Sequence, residues 1–92
     1  MRTIEWTNAF KRDYRKALST PRHRDLAPLR EQIGEQLAGD IALADKYRDH
    51  FLTGEYTRHR ECHLKPDLLL IYKKPDESML RFVRLGSHAE LF

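Results

Sequence analysis

The 92-residue sequence contains a single cysteine, four isolated glycines and no long apolar run. Because Cys62 is the only cysteine, an intramolecular disulfide framework and a cysteine-based zinc site are excluded, and a reducing compartment is indicated. The chain has no glycine-rich loop that would bind phosphates through its backbone. No segment reaches the roughly 20 apolar residues that a membrane span requires, and the opening residues MRTIEWTNAF lack the apolar region of a signal peptide. These absences predict a cytoplasmic protein without membrane contact.

The composition is that of a globular protein with room for one modest core. Hydrophobic residues make up 40% of the chain and charged residues 34%, which is typical of folded rather than disordered sequences. A chain of this length is too short for two separate cores. We therefore expect a single domain over residues 1–92, without internal repeats or linkers.

The net charge is only +3, but the charges are unevenly distributed. Residues 11–30 contain seven basic side chains: Lys11, Arg12, Arg15, Lys16, Arg22, Arg24 and Arg30. Residues 31–45 contain four acidic side chains and no lysine or arginine: Glu31, Glu35, Asp40 and Asp45. A surface polarised in this way can meet an RNA backbone or an acidic protein partner. It is equally consistent with two ordinary solvated helix faces.

Two helices are predicted in the first half of the chain. The first follows a cap at Thr7 or Asn8, and its apolar side chains recur on one face: Phe10, Tyr14, Ala17 and Leu18. The second is capped by Asp25, because Pro28 is tolerated only in a first helical turn. Its apolar side chains have helical spacing: Leu26, Leu29, Ile33 and Leu37. Gly39 ends this helix, and residues 40–55 are predicted to be irregular.

Strands are predicted on both sides of these helices. The stretch RTIEWT forms a short first strand, and three further strands are predicted over residues 56–64, 67–74 and 79–85. The run LLLIY at residues 68–72 is apolar on both faces, which is typical of a central strand. The order is β-α-α-β-β-β with a short C-terminal segment, SHAELF. This order predicts an α+β fold in which two N-terminal helices pack on a small, mostly antiparallel sheet.

The stretch ECHLKPD, residues 61–67, places titratable groups directly before the most apolar strand. Alternation along a strand puts Glu61 and His63 on one face. The turn at Pro66 can fold the carboxylate of Asp67 back toward the imidazole of His63, and such a partner would hold the ring's tautomer and raise its pKa. This histidine would exchange protons near neutral pH. An ordinary hydrogen bond at the end of a strand explains the same spacing.

Other chemistries fit this stretch less well. The imidazoles of His59 and His63 would lie about 13 Å apart on a strand, which is too far for a shared zinc ion. Cys62 has the parity of Leu64 and is expected to be a buried small hydrophobe rather than a nucleophile. We interpret His59 as a solvated strand residue.

Further candidates occur in loops and at strand ends, where functional residues concentrate. His50 lies in a predicted loop, Arg84 ends the last strand, and His88 follows Gly86. Phe92 can pack on the core or present an aromatic face for base stacking. A meander of three strands can bring such positions together, although their spacing does not establish it.

Three stretches carry a resemblance to a known family: YRDHFLTGEY at residues 47–56, RECHLKPDLLLIYKK at residues 60–74 and LRFVRLGSHAELF at residues 80–92. They closely resemble the YafQ branch of the RelE/ParE toxin superfamily, and the likeness covers nearly the whole chain. It implies a cytoplasmic toxin of a type II toxin–antitoxin system that enters the ribosomal A site and cuts mRNA there. An antitoxin of the DinJ kind would silence it, and DNA would be contacted only indirectly, through that antitoxin.

The resemblance also implies roles for individual residues. The catalytic positions of the family fall on five residues: His50, His63, Asp67, Arg84 and His88. The substrate-binding positions fall on Phe92 and Glu61, the second of which is usually aspartate in the family. Relatives can carry an aromatic residue where this chain has Leu68, so base stacking and codon preference are expected to differ here.

The implied reaction needs no metal and no cofactor. A base takes the proton of an mRNA 2′-OH, the oxygen attacks the adjacent phosphorus, and an acid protonates the departing 5′-oxygen. We assign the base to His63 with Asp67 and the acid to His88, although these two labels can be exchanged. His50 is assigned to substrate positioning or proton exchange. Arg84 would stabilise charge on the phosphoryl oxygens.

Two other function classes remain alternatives. A ParE-like toxin shares the fold and binds DNA gyrase without cutting RNA, but such chains generally lack the histidine set. A plain RNA-binding module would use the basic helices and would leave the histidines unexplained. The sequence does not specify the cleavage codon, the antitoxin or the stoichiometry of the complex.

Overall fold

The computed structural model describes all 92 residues and contains one five-stranded sheet with three α-helices. The strands are β1 (Thr3–Trp6), β2 (His50–Phe51), β3 (Arg60–Lys65), β4 (Leu68–Asp76) and β5 (Met79–Gly86). The α-helices are α1 (Asn8–Leu18), α2 (Leu26–Ala38) and α3 (His88–Leu91). Three single 3₁₀ turns lie at Pro21–His23, Asp45–Tyr47 and Gly54–Tyr56. None of the helices is long and apolar enough to cross a membrane.

The sheet has the strand order β1-β5-β4-β3-β2. Only β1 and β5 pair in parallel, and the other three pairs are antiparallel. Strand β4 lies at the centre, and its residues Leu68–Tyr72 are all buried, which confirms the prediction for the LLLIY run. The α+β class and the mostly antiparallel sheet are therefore confirmed.

The two N-terminal helices pack on one face of the sheet and enclose most of the core. Thr7 caps α1, because its Oγ1 accepts a hydrogen bond from the backbone N–H of Phe10 at 3.0 Å. The main cluster of 15 buried side chains includes Phe10, Ile33 and Phe82. A smaller cluster of three buried side chains lies on the opposite face, below α3: Leu69, Ile71 and Leu91.

The cap predicted at the start of α2 is wrong in its chemistry. Asp25 occupies the N-cap position, but its side chain makes no capping hydrogen bond. The carboxylate instead accepts from the ammonium of Lys65, which lies at the end of β3. A charged partner from a distant strand has replaced the local contact, so Asp25 ties the start of α2 to the sheet.

One strand boundary differs from the sequence-based expectation, and two short elements were not predicted. The strand predicted from residue 56 begins only at Arg60, since a turn with positive φ at Arg58 precedes it. The region predicted to be irregular contains the edge strand β2. The C-terminal segment forms α3, whose capping box joins Ser87 and Glu90.

Candidate active site

A cleft of about 530 Å³ lies where β2, the β3–β4 turn and α3 meet. We call it the histidine cleft, and five of the seven predicted site residues line it: His50, Glu61, His63, Asp67 and His88. These side chains come from three separate parts of the chain, so the fold itself assembles the cluster. Arg84 and Phe92 do not line this cleft.

Glu61 lies at the centre of the cluster and is only 6% exposed. Its Oε2 is 3.5 Å from Nε2 of His50, and its Oε1 is 3.6 Å from Nε2 of His63. The first contact follows from the pairing of β2 with β3, which sets His50 opposite Glu61. The second follows from strand alternation, which places residues 61 and 63 on one face. One buried carboxylate therefore faces two imidazoles.

The predicted contact between Asp67 and His63 is wrong. The carboxylate of Asp67 lies 3.4 Å from Nη2 of Arg22, and its side chain is 59% exposed. The β3–β4 turn directs Asp67 outward to the 3₁₀ turn that carries Arg22, whereas Glu61 already lies beside His63 on the strand. Asp67 still lines the cleft, but the carboxylate next to His63 is that of Glu61.

A hydrogen-bond network fixes the short strand that carries His50. The buried hydroxyl of Tyr72 donates to Oδ1 of Asp49 at 2.5 Å, and Nε of Arg60 donates to the same oxygen at 3.1 Å. Burial and the carboxylate of Asp49 raise the pKa of Tyr72, so the phenol keeps its proton and remains a donor. The network anchors residue 49 to the central strand and places the next residue, His50, against β3.

The imidazole of His50 is also oriented by its own backbone. Its Nδ1 lies 2.5 Å from the carbonyl oxygen of Arg48. A carbonyl can only accept, so Nδ1 carries the proton and Nε2 points to Glu61. In the charged ring Nε2 is an N–H donor facing the carboxylate, and in the neutral ring it presents a lone pair. The backbone contact thus holds the ring with Nε2 directed at Glu61.

Helix α3 places His88 at the opposite side of the cleft. Ser87 Oγ accepts from the backbone of Glu90 at 3.2 Å, and the Glu90 carboxylate accepts from the backbone of Ser87 at 2.8 Å. Lys16 of α1 holds the same carboxylate at 2.8 Å. These donors lower the pKa of Glu90 to about 2. The capping box fixes the start of α3 and keeps His88 at the cleft, and the exposed contact with Lys16 adds little to it.

Phe92 lies next to His88 and presents an exposed aromatic ring, as does Phe51, which follows His50 in β2. The ring centroid of Phe92 is 5.0 Å from that of His88 and 5.9 Å from that of Tyr56, and 52% of the residue is exposed. Leu68 is only 4% exposed, since it packs in the core. The side chain of Leu68 is therefore not accessible to a base, whereas the ring of Phe92 is.

Arg84 lies outside the histidine cleft. Its Nε donates to Oδ2 of Asp13 at 2.6 Å, and this ion pair raises the pKa of the guanidinium. Asp13 also accepts from the backbone N–H of Leu85 at 3.1 Å. Strand β1 ends at Trp6, so the edge of β5 beyond Phe82 is free for Asp13 of α1 to bind. The expected convergence of Arg84 with the histidines therefore does not occur in this structure.

His59 and Cys62, which the sequence analysis did not assign to the site, both lie outside the histidine cleft. His59 does not line the cleft, and its Nδ1 faces the carbonyl oxygen of Thr57 at 3.1 Å. Cys62 is fully buried, and burial raises the pKa of its thiol, so it is a core residue as predicted. No three histidine, cysteine, aspartate or glutamate side chains are placed to hold a metal ion together.

Comparison with known proteins assigns the family. The family model for the bacterial toxin of type II toxin–antitoxin systems, YafQ, matches residues 2–92. The mRNA interferase toxin YafQ of Escherichia coli strain K12 is 36% identical over 91 residues, which are 99% of this chain and 96% of that protein.

Solved structures agree with this assignment. The chain superimposes on one chain of the E. coli DinJ–YafQ complex with a TM-score of 0.82 and 36% identity, covering 100% of this chain and 99% of that one. It superimposes on a metal-bound toxin from Helicobacter pylori with a TM-score of 0.84 and 43% identity, covering all of both chains. The chain belongs to the YafQ family of bacterial toxins of type II toxin–antitoxin systems.

Proposed function

We propose that this chain is a ribosome-dependent mRNA endoribonuclease, the toxin of a type II toxin–antitoxin system, acting as a single domain in the cytoplasm. The observation that carries the proposal is the buried carboxylate of Glu61 between His50 and His63, in a cleft that also contains His88. Three imidazoles in one cleft are suited to proton transfer near neutral pH. The E. coli relative is named an mRNA interferase, which supports the same reaction.

The proposed reaction uses one imidazole as a base and another as an acid. His63 takes the proton of the 2′-OH, and the 2′-oxygen attacks the adjacent phosphorus. The bond to the 5′-oxygen then breaks, and His88 protonates that oxygen. The two labels can be exchanged. Glu61 holds His63 and stabilises the imidazolium that forms when the ring takes up the proton.

The other cleft residues receive supporting roles. His50 binds the substrate or exchanges a proton with it, because its Nε2 reaches the edge of the cleft beside Glu61. When the substrate binds, the carboxylate of Asp67 leaves its weak surface pair with Arg22 and contacts the substrate strand instead. Phe92 stacks on a base of the bound mRNA. Arg84 supplies a fixed positive charge near the cleft.

The alternative functions explain less of the structure. A gyrase-binding toxin of the ParE type needs no histidine cluster, and a plain RNA-binding module needs only the basic helices. Neither accounts for a buried glutamate facing two imidazoles, since burying a carboxylate costs free energy unless its partners stabilise it. The nuclease gives that arrangement a use.

Cleavage is expected to require the ribosome. Six basic side chains on α1 and the following turn are exposed and can dock on rRNA: Lys11, Arg12, Arg15, Lys16, Arg22 and Arg24. Primer extension on two copies of one message, one translated and one lacking a start codon, measures the dependence. We expect cuts only in the translated copy. Equal cutting of both copies would contradict ribosome dependence.

Cleavage is also expected to be independent of a bound metal, because the cleft offers no set of three ligands. The ribosome itself needs magnesium, so the toxin is treated with EDTA and then desalted before ribosomes are added. Full activity after this treatment is the expected result, and a parallel sample incubated without EDTA is the control. Activity that is lost and returns with a transition metal would refute the prediction, and the metal-bound toxin of H. pylori makes this control necessary.

The partner is proposed to be an acidic antitoxin of the DinJ kind. In E. coli, YafQ forms a complex with DinJ, and the basic surface of this chain should attract an acidic segment that folds as it binds. Co-expression should rescue growth, and the dissociation constant should rise with salt. A complex that forms while mRNA cleavage continues would show that the partner binds away from the histidine cleft.

A further inference from the structure

A second, larger cleft of about 720 Å³ adjoins the histidine cleft, between α1, α3 and the end of β5. We call it the basic cleft because four cationic side chains line it: Arg12, Lys16, Arg22 and Arg84. Only two carboxylates, those of Asp13 and Glu90, face them there. The cleft therefore carries an excess of positive charge that suits an anionic ligand.

The two clefts are neighbours on the surface. Ser87 lines both of them, at the start of α3. Arg22 of the basic cleft also pairs with Asp67 of the histidine cleft at 3.4 Å. A polymer whose reacting group occupies one cleft can therefore continue into the other.

The basic side chains differ in how firmly they are held. The pair of Lys16 with Glu90 is exposed, at 76% and 46% of the two side chains, and Arg12 is also exposed. Exposed pairs of this kind contribute little stability, so a phosphate can replace the carboxylate without a large penalty. Arg84, by contrast, is fixed by Asp13 through Nε and Nη2. The guanidinium has five N–H donors, of which the contact with Asp13 uses two.

The wall of the basic cleft contains a polar atom without a partner. His23 lines this cleft and is only 6% exposed. Its Nδ1 lies 3.3 Å from the carbonyl oxygen of Ala17, while Nε2 makes no hydrogen bond. Folded proteins seldom leave a buried polar group unpaired. Nε2 of His23 is such a group, and it lies in the wall of the basic cleft.

We propose that the basic cleft binds backbone phosphates of the RNA strand next to the nucleotide that is cleaved. Arg12, Lys16 and Arg84 contact those phosphates, which leaves the exposed side chains of Lys11, Arg15 and Arg24 for docking on rRNA. Asp13 is a positioning residue that holds the guanidinium of Arg84. The inference rests on the proposed function. It gives Arg84 a flanking phosphate as its ligand, in place of the phosphate at the reacting bond.

The test measures RNA binding rather than cleavage. In a chain inactivated by His63→Ala/His88→Ala, the double substitution Arg12→Gln/Lys16→Gln removes two positive charges from the basic cleft. The matched control, Lys11→Gln/Arg15→Gln, removes two from the same helix at exposed positions that do not line the cleft. The probe is a fluorescein-labelled single-stranded RNA of about 10 nucleotides, titrated by anisotropy at several salt concentrations.

The cleft variant is expected to reduce the slope of log affinity against log salt by about 1.4, since each lost contact to single-stranded RNA is worth about 0.7. The control pair should change the slope by less than about half of that. Equal changes in the two pairs would overturn the proposal, because the charge of α1 would then act without a defined site. Unfolding temperatures are compared for all variants. Arg12→Gln alone leaves the Lys16–Glu90 pair intact and should reduce the slope by about 0.7.

Two further outcomes can be distinguished from those of the RNA titration. Loss of antitoxin affinity with an unchanged RNA salt slope would overturn the inference and assign the basic cleft to the protein partner. Failure of the proposed function is detected in a different assay, because the chain with all its histidines would then fail to cut mRNA on programmed ribosomes. RNA binding by the chain that lacks His63 and His88 does not depend on cleavage.

Discussion

The double substitution His63→Ala/His88→Ala is expected to abolish mRNA cleavage and to relieve growth arrest on induction. A positioned acid or base typically contributes about 10²- to 10⁴-fold, so the loss of both leaves little activity. Folding should survive because neither side chain belongs to the core clusters. Ribosome binding should also survive, since the exposed basic residues of α1 are unchanged. Primer extension and co-sedimentation with ribosomes measure the two effects separately.

The matched control for this experiment is His59→Ala. His59 is a histidine of the same region, but it does not line the histidine cleft, and its ring packs against Tyr56 at 5.7 Å. This variant should cut mRNA at close to the normal rate. A folded, ribosome-bound variant without His63 and His88 that still cuts mRNA would remove both histidines from the mechanism.

The central part of the fold could be predicted from the sequence because its signals are local. The LLLIY run predicts a strand buried on both faces, and the spacing of Phe10, Tyr14 and Ala17 predicts one face of a helix. The structure buries all of these side chains, whereas Leu18, predicted on the same helix face, is 46% exposed. The box joining Ser87 and Glu90 is also a local signal, since Ser-x-x-Glu predicts a helix start, although the sequence-based prediction contains no helix there.

The parts that could not be predicted depend on contacts between distant residues. Strand β2 has only two residues, which is too short for a periodic pattern, and it is held by the contact of Asp49 with Tyr72 across 23 positions of sequence. Without β2 the sequence gives no reason to place His50 opposite Glu61. Arg84 binds Asp13, which lies 71 positions earlier in the chain, and does not join the histidines. No local sequence signal reveals this contact.

The prediction that Asp67 contacts His63, where the structure has Glu61, is wrong for a simpler reason. Alternation along the strand already placed Glu61 and His63 on one face, and that geometry was available from the sequence. The adjacent turn made Asp67 appear equally close to His63, although the direction of a side chain in a turn depends on the backbone and on nearby charges. Arg22 supplies that charge in the folded protein. A regular strand was therefore a better guide than a turn.

The substitution Glu61→Gln is expected to lower the cleavage rate by about 10²-fold or more, while ribosome binding changes little. The amide keeps the shape of the side chain, but it has one acceptor oxygen and cannot stabilise a charged imidazole as a carboxylate does. Loss of an orienting carboxylate from a catalytic histidine costs about 10⁴-fold in serine proteases. Because the new side chain is neutral, its burial carries no charge penalty, so the free energy of unfolding should fall little.

Three comparisons distinguish this role of Glu61 from general damage to the fold. Glu55→Gln makes the same chemical change at an exposed position and should leave the cleavage rate near normal. Glu61→Asp retains the charge, and it should recover part of the activity that glutamine loses. The defect of Glu61→Gln should appear in kcat on programmed ribosomes, with KM nearly unchanged, because Glu61 acts on the imidazoles and not on docking. If Glu61→Gln cuts at the normal rate, the buried carboxylate is only a structural partner of His50 and His63 and takes no part in the proton transfer.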